Sequence, residues 1–332
     1  MRWGIFALAV MLCPLVAWAE APEHDMDVVA WLSAASSEVM GYPADGTAPF
    51  PVAVGDAVAE GHALEVVGEG GARVEFSSGL SVDMGPDSLI VIVGSDSVHQ
   101  LEPDQAPLPG RALRLQHGQI NVVTPSAQDE VAYRVTVPGA QLLTRQAEFG
   151  LRVDHVESIW LDVDQGEVLF ALNDDRHTVT AGNAMVSHPG EPPPSVIERL
   201  PAPDMALSSS GKTVNVAWPA QVDALSYWLE VWSATDNVLL EHHLSLLDSV
   251  SLTLPYGQYR LRLGAVDELG LRGQFSQQSV ETRRPAPPPT PAVVKTEPVP
   301  AETASDKEVA EDASDHRGLW LFIATAALLL LL

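Results

Sequence analysis

The sequence has little cysteine and few basic residues, and each scarcity excludes a class of protein. Its one cysteine, Cys13, lies inside an apolar N-terminal run. Lys and Arg number 18 against 44 Asp and Glu, which gives a formal net charge of -26. An acidic excess of this size repels phosphate backbones, so nucleic acid is excluded as a partner.

The N-terminus carries the features of an export signal. Arg2 precedes an apolar run from Gly4 to Ala17, and Ala17-Trp18-Ala19 forms a small-x-small cleavage site. We therefore predict a signal peptide over residues 1–19 and a periplasmic location. Cleavage removes Cys13, so the mature fold is expected to need no disulfide, thiol chemistry or cysteine metal site. Residues 20 to about 40 predict a short, weakly helical lead-in.

The following region alternates apolar and polar residues with the period of β-strands. Ala72, Val74 and Phe76 point to one face, and Ser78-Gly79 turns the chain into the next strand. Gly85-Pro86-Asp87-Ser88 is a second turn. A recurring unit is glycine, one residue, then a strand, as at Gly118 and Gly166, which predicts sharp turns between short strands stacked in layers.

The ordered set of these motifs resembles the FecR domain, a periplasmic β-rich module of bacterial signalling regulators and stand-alone envelope proteins. The matching features are the Gly55-Asp56 start, the strand pair around Gly79, the Pro86-x-Ser88 turn, and the glycine-led strands at Gly118 and Gly166. The resemblance implies an all-β fold, with a β-roll or solenoid-like domain over residues 37–190; a compact sandwich is the alternative that the sequence leaves open. Regulators of that family carry a cytoplasmic helical domain ahead of this module. Here a cleavable signal is expected in its place, so sigma-factor binding is not carried over.

A second β-rich region follows a proline-rich linker. Its landmarks are the strand-like runs around Trp218, Tyr227–Trp232 and Tyr259–Leu263. They resemble a fibronectin type III-like sandwich over residues 204–282, although fewer than seven strands are clear.

The C-terminal part has two contrasting compositions. Residues 285–317 are rich in Pro, Ala, Glu and Asp, which predicts a disordered linker. Residues 318–332 are apolar and leucine-rich, and about 1.5 Å per residue makes a helix shorter than the ~30 Å hydrocarbon core. We favour an inner-membrane anchor, with a processed sorting tail as the alternative.

Motifs for enzymatic chemistry are absent from the sequence: there is no nucleophile elbow, zinc-binding helix motif, phosphate loop or nucleotide fingerprint. Asp162 and Asp164 share one face of a strand, which is the usual pattern of a solvated face rather than of a catalytic pair. His242-His243 lacks further ligands at metal-binding spacing. We therefore predict no catalytic residues, no metal and no cofactor.

One constellation supports a binding hypothesis. Strand alternation places Trp228 and Trp232 on one face of their strand, and Arg260 and Arg262 on one face of theirs. In the sandwich that this region resembles, the two strands are neighbours in one sheet, so the resemblance implies that the four side chains share an outer face. Cation–π contacts that stabilise the sheet are one interpretation. A flat aromatic platform for a glycan or protein partner is the other.

The sequence thus predicts a non-enzymatic binding or scaffolding protein of the cell envelope, with cell-wall glycan or an envelope protein as its partner. The first alternative is a sensory module that signals through a separate membrane partner. The second is a hydrolase of cell-wall material or polysaccharide, which needs convergent carboxylates.

Overall fold

The computed structural model describes residues 28–99, 108–125, 131–173, 175–191 and 195–284. The predicted signal peptide, disordered linker and membrane anchor lie outside these residues. Every regular element in the described ranges is a β-strand, so the all-β prediction is confirmed. No helix of the kind that could cross a bilayer occurs in these ranges.

The first module comprises sixteen of the described strands. They are β1 Val28–Ala35, β2 Glu38–Tyr42, β3 Phe50–Pro51, β4 Ala57–Ala59, β5 Ala63–Val67, β6 Ala72–Phe76, β7 Ser81–Met84, β8 Leu89–His99, β9 Leu108–Val123, β10 Ala132–Val137, β11 Ala140–Thr144, β12 Ala147–Val153, β13 Ile159–Leu172, β14 Asp175–Thr180, β15 Asn183–Ser187 and β16 Ile197–Glu198.

These strands form two sheets that share two long strands. Sheet A has the order β4-β1-β6-β7-β9-β12-β13-β15-β16, and sheet B has the order β3-β2-β5-β8-β9-β10-β11-β13-β14. Strands β9 and β13 each begin in one sheet and end in the other. Their apolar side chains form one continuous core with those of the shorter strands.

A glycine marks the point where each long strand changes sheet. Gly118 has φ 92° and Gly166 has φ 73°, which favour glycine because it has no Cβ. A Cβ at Gly166 would lie 2.0 Å from the carbonyl oxygen of Gln146. The two glycines therefore bend long strands, rather than opening new ones as the sequence pattern predicted.

The predicted β-roll or solenoid is wrong for this module. A solenoid stacks successive turns in parallel, whereas among the described strands only β9 and β10 pair in parallel. The other described pairs are antiparallel, some as hairpins such as β6–β7 and β10–β11, and some between strands distant in the chain such as β1–β6 and β9–β12.

The predicted helical lead-in is also wrong. Ala30 and Leu32 are buried and Trp31 between them is partly exposed, which is the two-residue alternation of a strand. This strand, β1, pairs with β4 and β6, so the module begins ahead of the predicted boundary at residue 37.

The second module is a two-sheet sandwich of seven strands, more than the sequence made clear. Sheet C has the order β17-β18-β21 and sheet D the order β20-β19-β22-β23. Tyr259 donates a hydrogen bond to the carbonyl oxygen of Pro255 at 2.9 Å, a tyrosine corner as found in immunoglobulin-like sandwiches. The strands are β17 Ala206–Ser210, β18 Thr213–Ala217, β19 Ser226–Ser233, β20 Leu239–Ser245, β21 Ser249–Thr253, β22 Gly257–Val266 and β23 Arg272–Thr282.

We predict that Gly166→Ala destabilises the first module far more than Gly46→Ala. Both glycines have φ near 74°, so both substitutions add the same backbone strain, about 1 kcal/mol. Nothing lies within 4 Å of a Cβ at Gly46, whereas the Gly166 methyl would collide with Gln146. Urea unfolding of the two variants measures the difference, and equal losses would contradict the role given to Gly166.

Candidate functional site

The four residues of the predicted platform lie on one face of sheet D. β19 and β22 are neighbours, with Trp228 opposite Gly264, Glu230 opposite Arg262, and Trp232 opposite Arg260. The opposite face of β19 carries Tyr227, Leu229 and Val231, which join the sandwich core. The predicted alternation and strand pairing are therefore confirmed.

This face is turned toward the first module rather than toward solvent. Trp232 is only 1% exposed, and it lines a small cavity together with Met84 and Ile120 of the first module. Leu239 beside it accepts a backbone hydrogen bond from Gly71 at 3.0 Å. The prediction of an open outer face is wrong at Trp232, because the first module packs over it.

Glu230 organises the aromatic and basic side chains of this face. Its carboxylate accepts hydrogen bonds from the indole nitrogens of Trp228 at 3.1 Å and Trp232 at 2.9 Å. The guanidiniums of Arg262 and Arg272 lie 3.5 and 3.8 Å from the same carboxylate. Each carboxylate oxygen of the buried Glu230 therefore accepts a hydrogen bond. A buried charge needs such partners, because burial without them is energetically costly.

Arg260 has a different role from Arg262. Its guanidinium lies over the Trp232 ring at 5.2 Å and donates a hydrogen bond to Asn237 at 2.5 Å. These contacts stay within the second module. They support the interpretation of Arg260 and Trp232 as a cation–π pair that stabilises the sheet.

Two carboxylates of β13 join this cluster from the first module. Asp162 lies 3.2 Å from Arg272, and Asp164 lies 3.5 Å from Arg262. Asp162 is 3% exposed, so its predicted place on a solvated face is wrong. Asp162 and Asp164 do lie on one face of β13, as the alternation predicted, but the second module covers that face.

Arg199, just after β16, completes this cluster of charged side chains. We call the cluster the interdomain ion network, and its members are Asp162, Asp164, Arg199, Arg262, Arg272 and Glu230. Its guanidinium donates to Asp164 at 2.6 Å and lies 3.7 Å from Asp162. It also donates to the carbonyl oxygens of Val163, Arg272 and Gly273. One fully buried side chain therefore binds backbone from both modules.

The surroundings of Asp162 determine its charge. Burial alone would raise the pKa of Asp162, but the guanidiniums of Arg272 and Arg199 outweigh burial and hold the pKa below its ordinary value. Burial and the neighbouring charge of Arg272 lower the pKa of Arg152 to about 10. Both groups are therefore charged at neutral pH.

Gly150 on β12 makes room for the central ion pair. It pairs with Asp162 across the sheet, and a Cβ there would lie 2.6 Å from the Asp162 carboxylate and 2.8 Å from the Arg272 guanidinium. Any larger residue would push these charged groups apart.

Trp228, unlike Trp232, remains partly accessible. It lines a groove of about 260 Å³ at the module boundary, together with Arg152, Leu225, Leu244 and Arg272. Leu225 and Leu244 are 67% and 61% exposed, and Leu244 lies directly opposite Trp228 on β20. We call this feature the apolar groove.

Contacts within the second module cover part of the Trp228 ring. His242 stacks on it with centroids 4.5 Å apart and an interplanar angle of 17°. Burial lowers the pKa of His242, so the imidazole is neutral in this stack at neutral pH. The Arg272 guanidinium also lies over the ring, 5.7 Å from its centroid, so Trp228 is not an open platform.

Arg262 lines a second depression at the module boundary, which we call the polar cleft. It measures about 480 Å³ and is lined by carboxylates, amides and one aromatic ring. The Arg262 guanidinium lies 4.4 Å from the centroid of the Phe275 ring. The other lining groups used below are Gln165, Gln274 and Gln277.

The sequence did not single out Arg199 or Arg272. Arg199 follows a proline-rich stretch and reads as part of a linker, while Arg272 follows the Gly270 turn. The sequence did contain one relevant pattern. Acidic residues alternate on β13 and arginines alternate on β22, so the two strands carry complementary charges. Only the fold shows that they face each other.

No protein-family model and no curated protein matches the chain. Among solved structures it is similar to a candidate anti-sigma factor from Parabacteroides distasonis ATCC 8503, with 9% identity and a TM-score of 0.34 over 41% of this chain. The match spans 59% of that protein's length.

The chain is also similar to fibronectin type III segments, again with low sequence identity and a low TM-score. A two-domain segment of chicken tenascin has 13% identity and a TM-score of 0.22, covering 50% of this chain and 94% of that one. The FN1–FN3 domains of chicken CNTN1 have 10% identity and a TM-score of 0.23, covering 74% and 89%. These likenesses are too distant to assign a family or a function.

We predict that Gly150→Ala disrupts the interdomain ion network. Separating a buried ion pair costs about 3–5 kcal/mol, because it leaves uncompensated charges. Gly257→Ala is the matched control, since its Cβ would meet only ordinary contacts at 3.4 Å or more. Chemical unfolding followed by tryptophan fluorescence should show a large loss for Gly150→Ala alone. A loss no greater than that of the control would contradict the proposed packing.

We also predict a pH-dependent gap in stability between the wild type and Asp162→Asn. The folded pKa of Asp162 is lowered, so its contribution is fully present above the unfolded value of about 3.9 and is lost as pH falls through the folded pKa. The gap should be about 3–5 kcal/mol at pH 7 and shrink below about pH 4. Unfolding curves at a series of pH values measure it, and a gap independent of pH would refute the assignment.

Proposed function

We propose that this chain is a non-enzymatic binding and scaffolding protein of the bacterial cell envelope, and that it holds a protein partner in the apolar groove beside Trp228. The observation that carries the proposal is the groove itself, where Trp228, Leu225 and Leu244 present apolar surface at a fixed module boundary. The interdomain ion network supports it, because it keeps the two walls of the groove in place.

The size of the groove favours a protein side chain over a whole small molecule. About 260 Å³ is below the ~300–1,000 Å³ of typical small-molecule pockets. The stacked His242 covers part of the Trp228 ring, which reduces the flat surface that a sugar ring needs. Leu246 and Leu247, which follow Leu244 closely in the sequence, are also exposed, and exposed apolar side chains in one region are typical of protein interfaces.

The polar cleft supports cell-wall glycan as a second candidate ligand. Its larger volume lies within the range for small ligands, and the amides of Gln165, Gln274 and Gln277 suit the hydroxyl groups of a sugar. A hydrolase is a weaker proposal, since Asp162 and Asp164 are engaged by arginines and do not face each other across a substrate site.

Export by the N-terminal signal and anchoring to the inner membrane by residues 318–332 are part of the proposal. They rest on the sequence pattern. In the sensory alternative, the same two modules would signal through a separate membrane partner, and that partner would bind in the apolar groove.

We predict that Leu244→Ser and Leu225→Ser each weaken capture of the partner by about tenfold, the effect of losing one hot-spot contact. Val54→Ser is the control, because Val54 is 58% exposed and does not line the groove. The full chain is immobilised and incubated with envelope extract, sacculi and soluble glycans in parallel. Circular dichroism verifies that each variant is folded.

The result expected is one protein retained by the wild type and Val54→Ser but lost from both leucine variants. Retention on sacculi or glycans that is lost in Gln274→Ala and Gln277→Ala would support the polar cleft instead. Protein capture that is unchanged in both leucine variants would refute the apolar groove as the binding site.

A further inference from the structure

Three potential metal ligands from distant parts of the sequence meet on the surface of the first module. Asp87 lies in the turn between β7 and β8, His117 lies on β9, and His155 lies in the turn between β12 and β13. One ligand atom from each residue lies within 4.8 Å of the ligand atoms of the other two. The three residues lie far apart in the sequence, so no local metal-binding motif predicted the site and the sequence analysis expected no metal.

The hydrogen bonding of His117 fixes which nitrogen is free. Its Nδ1 lies 2.9 Å from the backbone carbonyl oxygen of Asp87. A carbonyl accepts hydrogen bonds only, so Nδ1 carries the proton and Nε2 of the neutral ring keeps its lone pair. Metal-binding histidines are held in this way, with the second nitrogen donating to a carbonyl or carboxylate.

The other two ligands have matching geometry. His155 Nε2 lies 3.2 Å from Asp87 Oδ2, and the rings of His117 and His155 have centroids 5.0 Å apart. Two ligands at about 2.0–2.1 Å from a tetrahedral zinc ion lie roughly 3.3 Å apart. A small side-chain rotation would therefore bring all three ligand atoms to one ion.

The backbone that carries Asp87 is held rigidly against β9. The buried Ser88 hydroxyl accepts a hydrogen bond from the Gln119 amide at 2.9 Å and donates one to the Gln119 carbonyl at 2.8 Å. Gly118 packs so closely on this turn that a Cβ would lie 2.4 Å from Ser88. Asp87 itself adopts φ 52°, so the turn is constrained at the ligand.

The turn that carries His155 is fixed in a similar way. The Asp154 carboxylate accepts hydrogen bonds from the backbone amides of Val156 at 3.0 Å and Ser158 at 2.8 Å. This Asx-type turn presents His155 outward, with its side chain 73% exposed. Rigid carriers lower the entropic cost of binding, which distinguishes this cluster from a chance group of exposed side chains.

We propose that Asp87, His117 and His155 form a binding site for a divalent transition-metal ion of the zinc class. Two imidazoles and one carboxylate are the ligands that zinc accepts, and a set of three leaves a position for water or for a ligand from a partner. Calcium and magnesium prefer all-oxygen sites and are disfavoured by the imidazoles. The site is independent of both grooves at the module boundary, so it does not depend on the proposed partner.

Isothermal titration of the full chain with zinc chloride, after treatment with a chelator and its removal, tests the site. We expect one zinc ion per chain and a rise in the thermal unfolding midpoint when zinc is added. His155→Ala and Asp87→Asn should each weaken zinc binding by at least about tenfold. Both side chains are mostly exposed, so these variants are expected to fold.

His62→Ala is the matched control, because His62 is a partly exposed histidine of the same module outside the cluster. Cobalt in place of zinc gives a second readout, a visible absorption band that should disappear in His117→Ala. Absence of saturable zinc binding to the wild type would overturn the site. Binding that is unchanged in His155→Ala and Asp87→Asn would overturn it as well.

Discussion

The buried contact between Asp162 and the guanidiniums of Arg272 and Arg199 is the interaction on which the arrangement of this protein depends. It joins strand β13 of the first module, strand β23 of the second, and the segment between them. Each buried charge has an opposite charge within 4 Å, and Arg199 also donates hydrogen bonds to three backbone carbonyl oxygens. Pairing of this kind is the condition under which a buried charge is tolerated. Gly150 supplies the space that the pair occupies. The module boundary is therefore specified by charge and shape together.

That boundary gives the tryptophans and arginines of sheet D their roles. Trp232 and Arg260 are internal parts of the second module's face, and Arg262 faces the acidic side chains of β13. Trp228, at the rim, is partly exposed and lines the apolar groove together with two exposed leucines. The proposed binding surface therefore lies where the face of sheet D covered by the first module ends.

Strand content and strand faces could be predicted from the sequence, because two-residue alternation reports which side of a sheet is buried. It identified the two faces of β19, while the pairing of β19 with β22 was predicted from the resemblance to a fibronectin type III-like sandwich. It could not predict that the polar face of β13 is covered, because acidic residues alternate along a strand in the same way whether they contact water or arginine side chains. Gly118 and Gly166 looked like strand starts because a bend inside a long strand uses the same residue. Asp87, His117 and His155 could not be connected at all, as their proximity comes only from sheet pairing.

The two strands that belong to both sheets of the first module have a consequence for how that module loses structure. Since β9 and β13 supply central strands to sheets A and B alike, displacing either strand as a whole removes hydrogen bonds from both sheets. We therefore expect sheets A and B to unfold together rather than one after the other. Local opening is expected first at short outer strands such as β3 and β16, each of which pairs with a single neighbour.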